Sequence, residues 1–293
     1  MNFLNSMNNF PSINSSYYSY QKFIDFYQHY RNHIFADIHL NISDFFAANM
    51  SSVLGAVIDL ITVNLNTVHL SIQNPKTEEI LLKNDFLTYF GQKRAFDTHR
   101  TTIQYQKLEP KDGKHFRNYI INDLLELHNK ELPAMSYGVK EKIVEAIYEI
   151  FVNAQIHSET NFIYTCGQFY PQKKIIEFTL VDVGIGFREK VNHRFNRNLS
   201  AIQAIEWAIQ DKKTTKVNVS GGIGLAVLRE FIEKNNGMLQ IVSNNGFYEF
   251  ENNRENKRNF RGDFPGTIVN LRFKTDDDNN YFLDDELEFE DIF

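Results

Sequence analysis

In "EAIYEIFVNAQIHSE" (145–159), Glu145, Glu149, Asn153 and His157 follow one another at intervals of four. That spacing aligns side chains along one helix face. On the same stretch Val139, Ile143, Ile147, Ile150, Phe151 and Ala154 recur at helical spacing and form an apolar face. By itself such a polar stripe reads as a surface turned to water. The residue types also fit chemistry: a carboxylate can act as a general base within hydrogen-bond reach of a proton, and an amide oxygen suits Mg²⁺, which takes hard oxygen ligands. His157, at the end of the stretch, reads as a helix C-terminal or packing residue.

Three glycine-bearing segments follow. "VDVGIGF" (181–187) ends an apolar run with Asp182, Gly184 and Gly186. "SGGIGLAVLREFIEKNNG" (220–237) places Gly221, Gly222, Ile223, Gly224 and Leu225 at the mouth of an amphipathic helix. "FPGTIVNLRF" (264–273) opens a last strand with Gly266 and Thr267. Singly, each is no more than a tight turn. There is no GxxxxGK[ST] loop, and Glu189 stands where a dinucleotide fingerprint needs its third glycine.

In this order the segments resemble the GHKL ATPase superfamily, which includes DNA gyrase, mismatch-repair ATPases, sensor histidine kinases and anti-sigma-factor serine kinases. "EIFVNAQIH" is similar to the N box, "DVGIGF" to the G1 box, "GGIGLAVLREF" to the G2 box and "GT" to the G3 element, over about residues 100–274. The resemblance implies ATP and Mg²⁺ as ligands. Asn153 would hold the metal, and Glu149 would activate water or a hydroxyl. Asp182 would accept from an adenine amino group, Gly184 and Gly186 would let backbone approach the purine, and Thr267 would add a hydroxyl near the base. Gly221, Gly222 and Gly224 would offer N–H groups to phosphate at a helix N-terminus. Residues 188–219 would form the ATP lid, with Lys213 and Lys216 preferred as phosphate-binding bases among Arg188, Lys190, Arg194, Arg197 and Lys212.

These residues need elements to position them. "YQKFIDFYQHYRN", "SSVLGAVIDLITVNL" and "TEEILLKNDFLTYF" read as helices alternating with strands "IFADIHLNI" and "TVHLSIQ", an α/β pattern. The segment 91–100, "GQKRAFDTHR", reads as a linker. Beyond it come a strand "TTIQYQKL", helices over 113–128 and 138–157, and strands "NFIYTCGQFY" and "KIIEFTLVDV". A polar stretch with a helix "LSAIQAIEWAIQ", the helix "IGLAVLREFIEKN" and strands "MLQIVS", "GFYEFE" and "GTIVNLRFK" complete the chain. The expected fold is α/β: a small α/β domain over 1–98, then a two-layer α/β sandwich with a mixed sheet over 99–274, the Bergerat-type ATP-binding domain that the resemblance implies. Residues 275–293 form an acidic tail.

The first domain also resembles STAS domains, through "ISDFFAANMSSVLGAVIDL", "VHLSIQNP" and "KNDFLTYFG". Where phosphorylated members begin a helix with serine, this chain has Ala47, Ala48 and Asn49, with serines only at Ser51 and Ser52. An α/β module also precedes the ATP-binding region where a histidine kinase carries its phosphoacceptor hairpin. Two functional classes follow: an ATP hydrolase or ATP-driven switch, or a protein serine/threonine kinase or anti-sigma-type binder.

The 293 residues allow about two domains. One cysteine, Cys166, permits no internal disulfide and points to a reducing compartment. The N-terminus lacks the basic start and apolar run of a secretory signal, and "VLGAVIDLITVNL" falls short of the roughly 20 residues of a membrane span. A cytoplasmic protein without membrane contact is expected. Net charge is −6, yet residues 276–293 hold nine acids and no base, leaving 31 basic against 28 acidic residues elsewhere. No basic, aromatic-interleaved stripe points to nucleic acid. A protein partner is expected through the N-terminal domain or the tail, whose Tyr281, Phe282, Leu283, Leu287, Phe289 and Phe293 interleave with its acids. A homodimer is compatible with the sequence.

Overall fold

The computed structural model describes residues 8–128, 130–157, 160–210, 224–283 and Glu286, apart from the side chains of Ile156 and His157. Strands β1 (Asn9–Phe10), β2 (Asp37–Ile42) and β3 (Thr67–Ile72) pair in parallel in that order. Parallel neighbours need a crossover; here α1 (Tyr17–Tyr30) and α2 (Ser51–Thr62) supply it. The Ser16 hydroxyl caps α1 by accepting from the Ser19 N–H. Along β2, Ile38, Leu40 and Ile42 are buried against these helices while Asp37 and His39 face out. Helix α3 (Pro75–Lys83) begins with Asn74 accepting from the Lys76 and Thr77 N–H groups.

The rest of the chain runs β4 (Thr102–Leu108), α4 (Gly113–Tyr119, continued by a π-helical stretch Ile120–Glu126), β5 (Ala134–Met135), α5 (Tyr137–His157), β6 (Ile163–Tyr170) and β7 (Ile175–Asp182). Then come α6 (Gly186–Phe195), α7 (Ala201–Ala208), α8 (Gly224–Lys234), β8 (Met238–Glu251), β9 (Arg254–Lys274) and β10 (Asn280–Tyr281). Five strands form the main sheet in the order β4-β6-β7-β9-β8. Every neighbouring pair in it is antiparallel, so the expected mixed sheet is corrected. For two of the four pairs the reason is local: short hairpins join β6 to β7 and β8 to β9, and a short hairpin can only reverse the chain. At the second, Asn252 and Asn253 both have positive φ (50° and 58°), the conformation that a two-residue hairpin turn requires. "MLQIVS" and "GFYEFE" are one strand, and β9 begins twelve residues earlier than "GTIVNLRFK".

The main sheet is covered on both faces. Ile176, Phe178 and Leu180 of β7 join one core with Ile143, Ile147, Ile150 and Phe151 of α5 and Leu228 and Ile232 of α8. Val181 of β7, Tyr164 and Cys166 of β6 and Ile268 of β9 join the other with Phe23, Ile24, Val53 and Val57 of α1 and α2. The layers are thus the small parallel sheet, α1 with α2, the main sheet, and α5 with α8. The second core spans residues 10–268 and so crosses the expected 98/99 boundary.

Several polar side chains bridge this junction, although Asn49 Oδ1 itself has no hydrogen-bond partner. The buried Asn49 amide nitrogen donates to Ser15 Oγ (2.9 Å), Thr179 Oγ1 (2.9 Å) and Asn270 Oδ1 (3.1 Å). Tyr20 donates to Gln240 Oε1 (3.0 Å), and Ser15 donates to Glu177 (2.8 Å), which also binds Arg272 (2.7 Å). Ser51 and Ser52 are fully buried, so neither offers a hydroxyl to an external kinase in this fold. Burial pushes the Cys166 thiol up to about 12, partly offset by its hydrogen bonding with Asn84, the Gly167 backbone and Ser51.

The proximal tail docks on the chain itself. Tyr281 is buried, its ring 5.0 Å from that of Phe231, and its carbonyl accepts from the Ser136 N–H (2.9 Å). Glu286 accepts from the Gly138 N–H (3.3 Å). Leu287, Phe289 and Phe293 lie outside the described residues.

Two predictions follow from this packing. A Cβ on Gly55, in the middle of α2, would overlap the phenol oxygen of buried Tyr105. Gly55→Ala therefore lowers stability by roughly 1–3 kcal/mol of overpacking, against the ~1 kcal/mol that alanine gains in an ordinary helix; an unchanged or raised denaturation midpoint refutes the close approach. Deleting 276–293 removes the buried Tyr281 ring and costs about 3 kcal/mol, on the scale of removing a buried aromatic. A truncated chain melting at the full-length temperature would show that the tail contributes no docking energy.

Candidate functional site

Position along β7, β9 and β8 builds the first half of the site. Asp182 pairs in register with Thr267, and Thr267 with Ser243. On β7 the side chains of Ile176, Phe178 and Leu180 face the α5–α8 layer, and alternation puts Asp182 on that same face at the strand's end. All three polar residues are buried. Asp182 Oδ1 accepts from the Gly184 N–H at 3.0 Å. Burial pushes the Asp182 pKa up; the positive charge of Lys190, the Gly184 N–H and the Thr267 hydroxyl pull against that rise.

After Asp182 the chain turns into α6. Ile185, at the helix start, supplies no side-chain cap. The orphan N–H groups are satisfied from β8: Phe187 donates to Ser243 Oγ (2.8 Å) and Arg188 to Asn244 Oδ1 (3.3 Å). Gly186 has φ 72°, and a Cβ there would lie 2.7 Å from Asn244 Oδ1 and 2.8 Å from Ser243 Oγ. Gly266 has φ 128°, and its Cβ would run into the Asp182 carbonyl. Both glycines are thus required twice over, by backbone conformation and by close approach. Ser243 and Asn244 had no place in the sequence reading. Their signal was the "SNN" where β8 changes register against β9.

The second half joins two helices. Glu149 is half-buried on α5, and its Oε2 accepts from the Gly224 N–H at 2.8 Å, capping the start of α8. A Cβ on Gly224 would sit 2.8 Å from the Ala146 carbonyl and 3.0 Å from Glu149 Oε2. The polar stripe is therefore graded. Glu145 is exposed, whereas Glu149 and Asn153 are half-buried. The six apolar positions of the opposite face are all buried, as their spacing predicts. Leu225 is buried in the α5–α8 core.

Within the segment expected as the ATP lid, Arg188, Lys190 and Arg194 lie on helix α6. Lys190 is buried, its ammonium 5.9 Å from the Phe187 ring centroid, and Arg188 pairs with Asp263 (3.4 Å). Lys213, Lys216, Gly221, Gly222 and Ile223 lie outside the described residues.

The expected absence of a membrane span is matched by the helices: none among the described residues is long and apolar enough to cross a membrane. No family model matches the chain, and no curated protein matches it.

The buried carboxylate gives a signed prediction. Its folded pKa lies above the unfolded value, so the ionised form weakens the fold above the folded pKa, and this cost fades as pH falls through that pKa. Asp182→Asn therefore raises the melting temperature of the protein without added ligand at neutral pH, and the gain shrinks in acid. A variant less stable than wild type at every pH would refute it.

Proposed function

We propose that the region over about 99–274 is a GHKL-type site that binds ATP with Mg²⁺ and acts as an ATP hydrolase or ATP-driven switch. The observation that carries the reading is the Glu149–Gly224 hydrogen bond, which places the N-box-like helix against the first described residue of the glycine-rich helix start. Support also comes from Asp182 and Thr267, side by side on the sheet face that carries the same helices. Gly186 and Gly266, which leave no room for a side chain, flank that pair.

The residues fit the group. A buried carboxylate oxygen can accept from an adenine amino group, which selects the base without charge pairing. Asn153 would hold Mg²⁺ through its amide oxygen. Mg²⁺, when bound, supplies charge neutralisation for phosphate oxygens. Glu149 has two tasks in this reading. In the described state its carboxylate caps α8 at Gly224; as general base it takes a proton from an attacking water. Catalytic hydrogen bonds are often incomplete before the reactive complex forms, so capping and base chemistry are compatible as successive states of one side chain.

Glutamine separates the two tasks, because its amide oxygen can still accept from the Gly224 N–H. Glu149→Gln is expected to bind Mg-ATP nearly as wild type and to lose turnover by at least ~10²-fold. Asn153→Ala loses the Mg²⁺-dependent part of affinity, about 1–3 kcal/mol for a deleted buried polar contact. Calorimetry and phosphate release with γ-labelled ATP check both. Wild-type turnover in Glu149→Gln would sink the hydrolase reading; label transferred to protein instead of released would favour the kinase class.

A further inference from the structure

The outer face of the small parallel sheet carries a second cluster, remote in sequence from the residues of the proposed ATP site. His39 and His69 are directly paired in register on β2 and β3, and Asp37 lies two residues before His39 on the same face. The imidazoles stack with centroids 4.8 Å apart and planes 18° from parallel. His69 Nε2 is 2.6 Å from Asp37 Oδ1, and His39 Nε2 is 3.9 Å from Asp37 Oδ2. One donor atom from each of the three residues lies within 4.8 Å of the others.

The geometry points to a divalent transition-metal site, with zinc as its natural occupant. Two imidazole nitrogens and one carboxylate oxygen are the borderline donor set that zinc takes, with bonds of ~2.0–2.2 Å. Tetrahedral bonds of that length put neighbouring donors about 3.3 Å apart. The separations of 2.6 Å to Asp37 Oδ1 and 3.9 Å to Asp37 Oδ2 bracket that value, and with all three donor atoms within 4.8 Å of one another, rotations of these exposed side chains that close the widest pair by about 1.5 Å reach it. The donors stand on hydrogen-bonded strands, which hold a site better than loops do. All three side chains are more than half exposed, so a fourth position stays open to water or to a ligand from another molecule. Hard cations such as Mg²⁺ prefer all-oxygen ligand sets, which separates this cluster from the nucleotide-linked metal proposed above.

A metal bound here also bridges β3, at the edge of its sheet, to the central strand β2. Because the site needs the strands paired, binding is linked to folding and raises the melting temperature. His29 and His33 provide an internal control: their rings are 5.3 Å apart one helical turn apart in sequence, yet no acid completes a group of three there among the described residues.

The test uses untagged full-length protein titrated with zinc chloride in the absence of nucleotide, by calorimetry and by thermal unfolding. The expected result is one saturable zinc per chain and a rise in melting temperature that a chelator reverses. His39→Ala and His69→Ala each weaken binding by at least ~10-fold, while His29→Ala/His33→Ala and an excess of Mg²⁺ leave it unchanged. The substituted side chains are exposed, and circular dichroism of each variant verifies its fold. Zinc affinity unchanged in both His39→Ala and His69→Ala, loss of binding in the His29/His33 variant instead, or no saturable binding by wild type would each overturn the assignment.

Discussion

Around β7 the main sheet has no wet face, and the rest of the architecture depends on that. An antiparallel sheet commonly keeps one side in water and shows it by alternating polar and apolar residues. Here β7 is buried along its whole length, and its neighbours present Tyr164, Cys166, Ile268 and Phe264 to the side away from α5. At ~25 cal/mol per Å² of apolar surface, leaving that side uncovered would outweigh the stability of an ordinary domain. Helices α1 and α2 cover it, and the Tyr20 hydroxyl of α1 and the Asn49 amide nitrogen, just before α2, find partners on the strands themselves. The first hundred residues are therefore part of the sheet's core as well as an α/β unit of their own.

The site sits where this cover runs out. Asp182 is the last residue of β7, and the chain leaves the sheet immediately after it through a turn that only glycine can make. A carboxylate held there is expensive in the absence of a ligand, as its raised pKa records. Stability given up at one residue is a common accompaniment of a binding group kept dry for its ligand. Glu149 shows the opposite arrangement: its carboxylate already satisfies an N–H at the start of α8.

Helix α5 was legible in the sequence because one long period decides it, and the six apolar positions that carry the period are all buried. The same logic missed the beginning of β9. "RENKRNFRGDF" is charged and mostly exposed, with no alternation for a pattern to catch; pairing with β8 makes it a strand. Its turn, Asn252–Asn253, carried the better local signal. Ser243 and Asn244 escaped notice because they act across the sheet on the start of α6, a partnership that sequence spacing does not encode. The histidine pair had a quiet signal: "IHLNI" and "VHLSI" place His at the same phase of two strands that the fold then pairs in register.

The shared core also sets an order of events during synthesis. Helix α2 ends at Thr62, but β9, whose Ile268 and Phe264 help cover its side of the sheet, is complete only at Lys274. At 5–20 residues per second a ribosome takes on the order of ten to forty seconds to make the intervening chain. Throughout that interval the apolar faces of α1 and α2 have left the ribosome without the strands that will bury them. The apolar faces of the nascent N-terminal third stay uncovered on that side until the hairpin of β8 and β9 arrives to close the core.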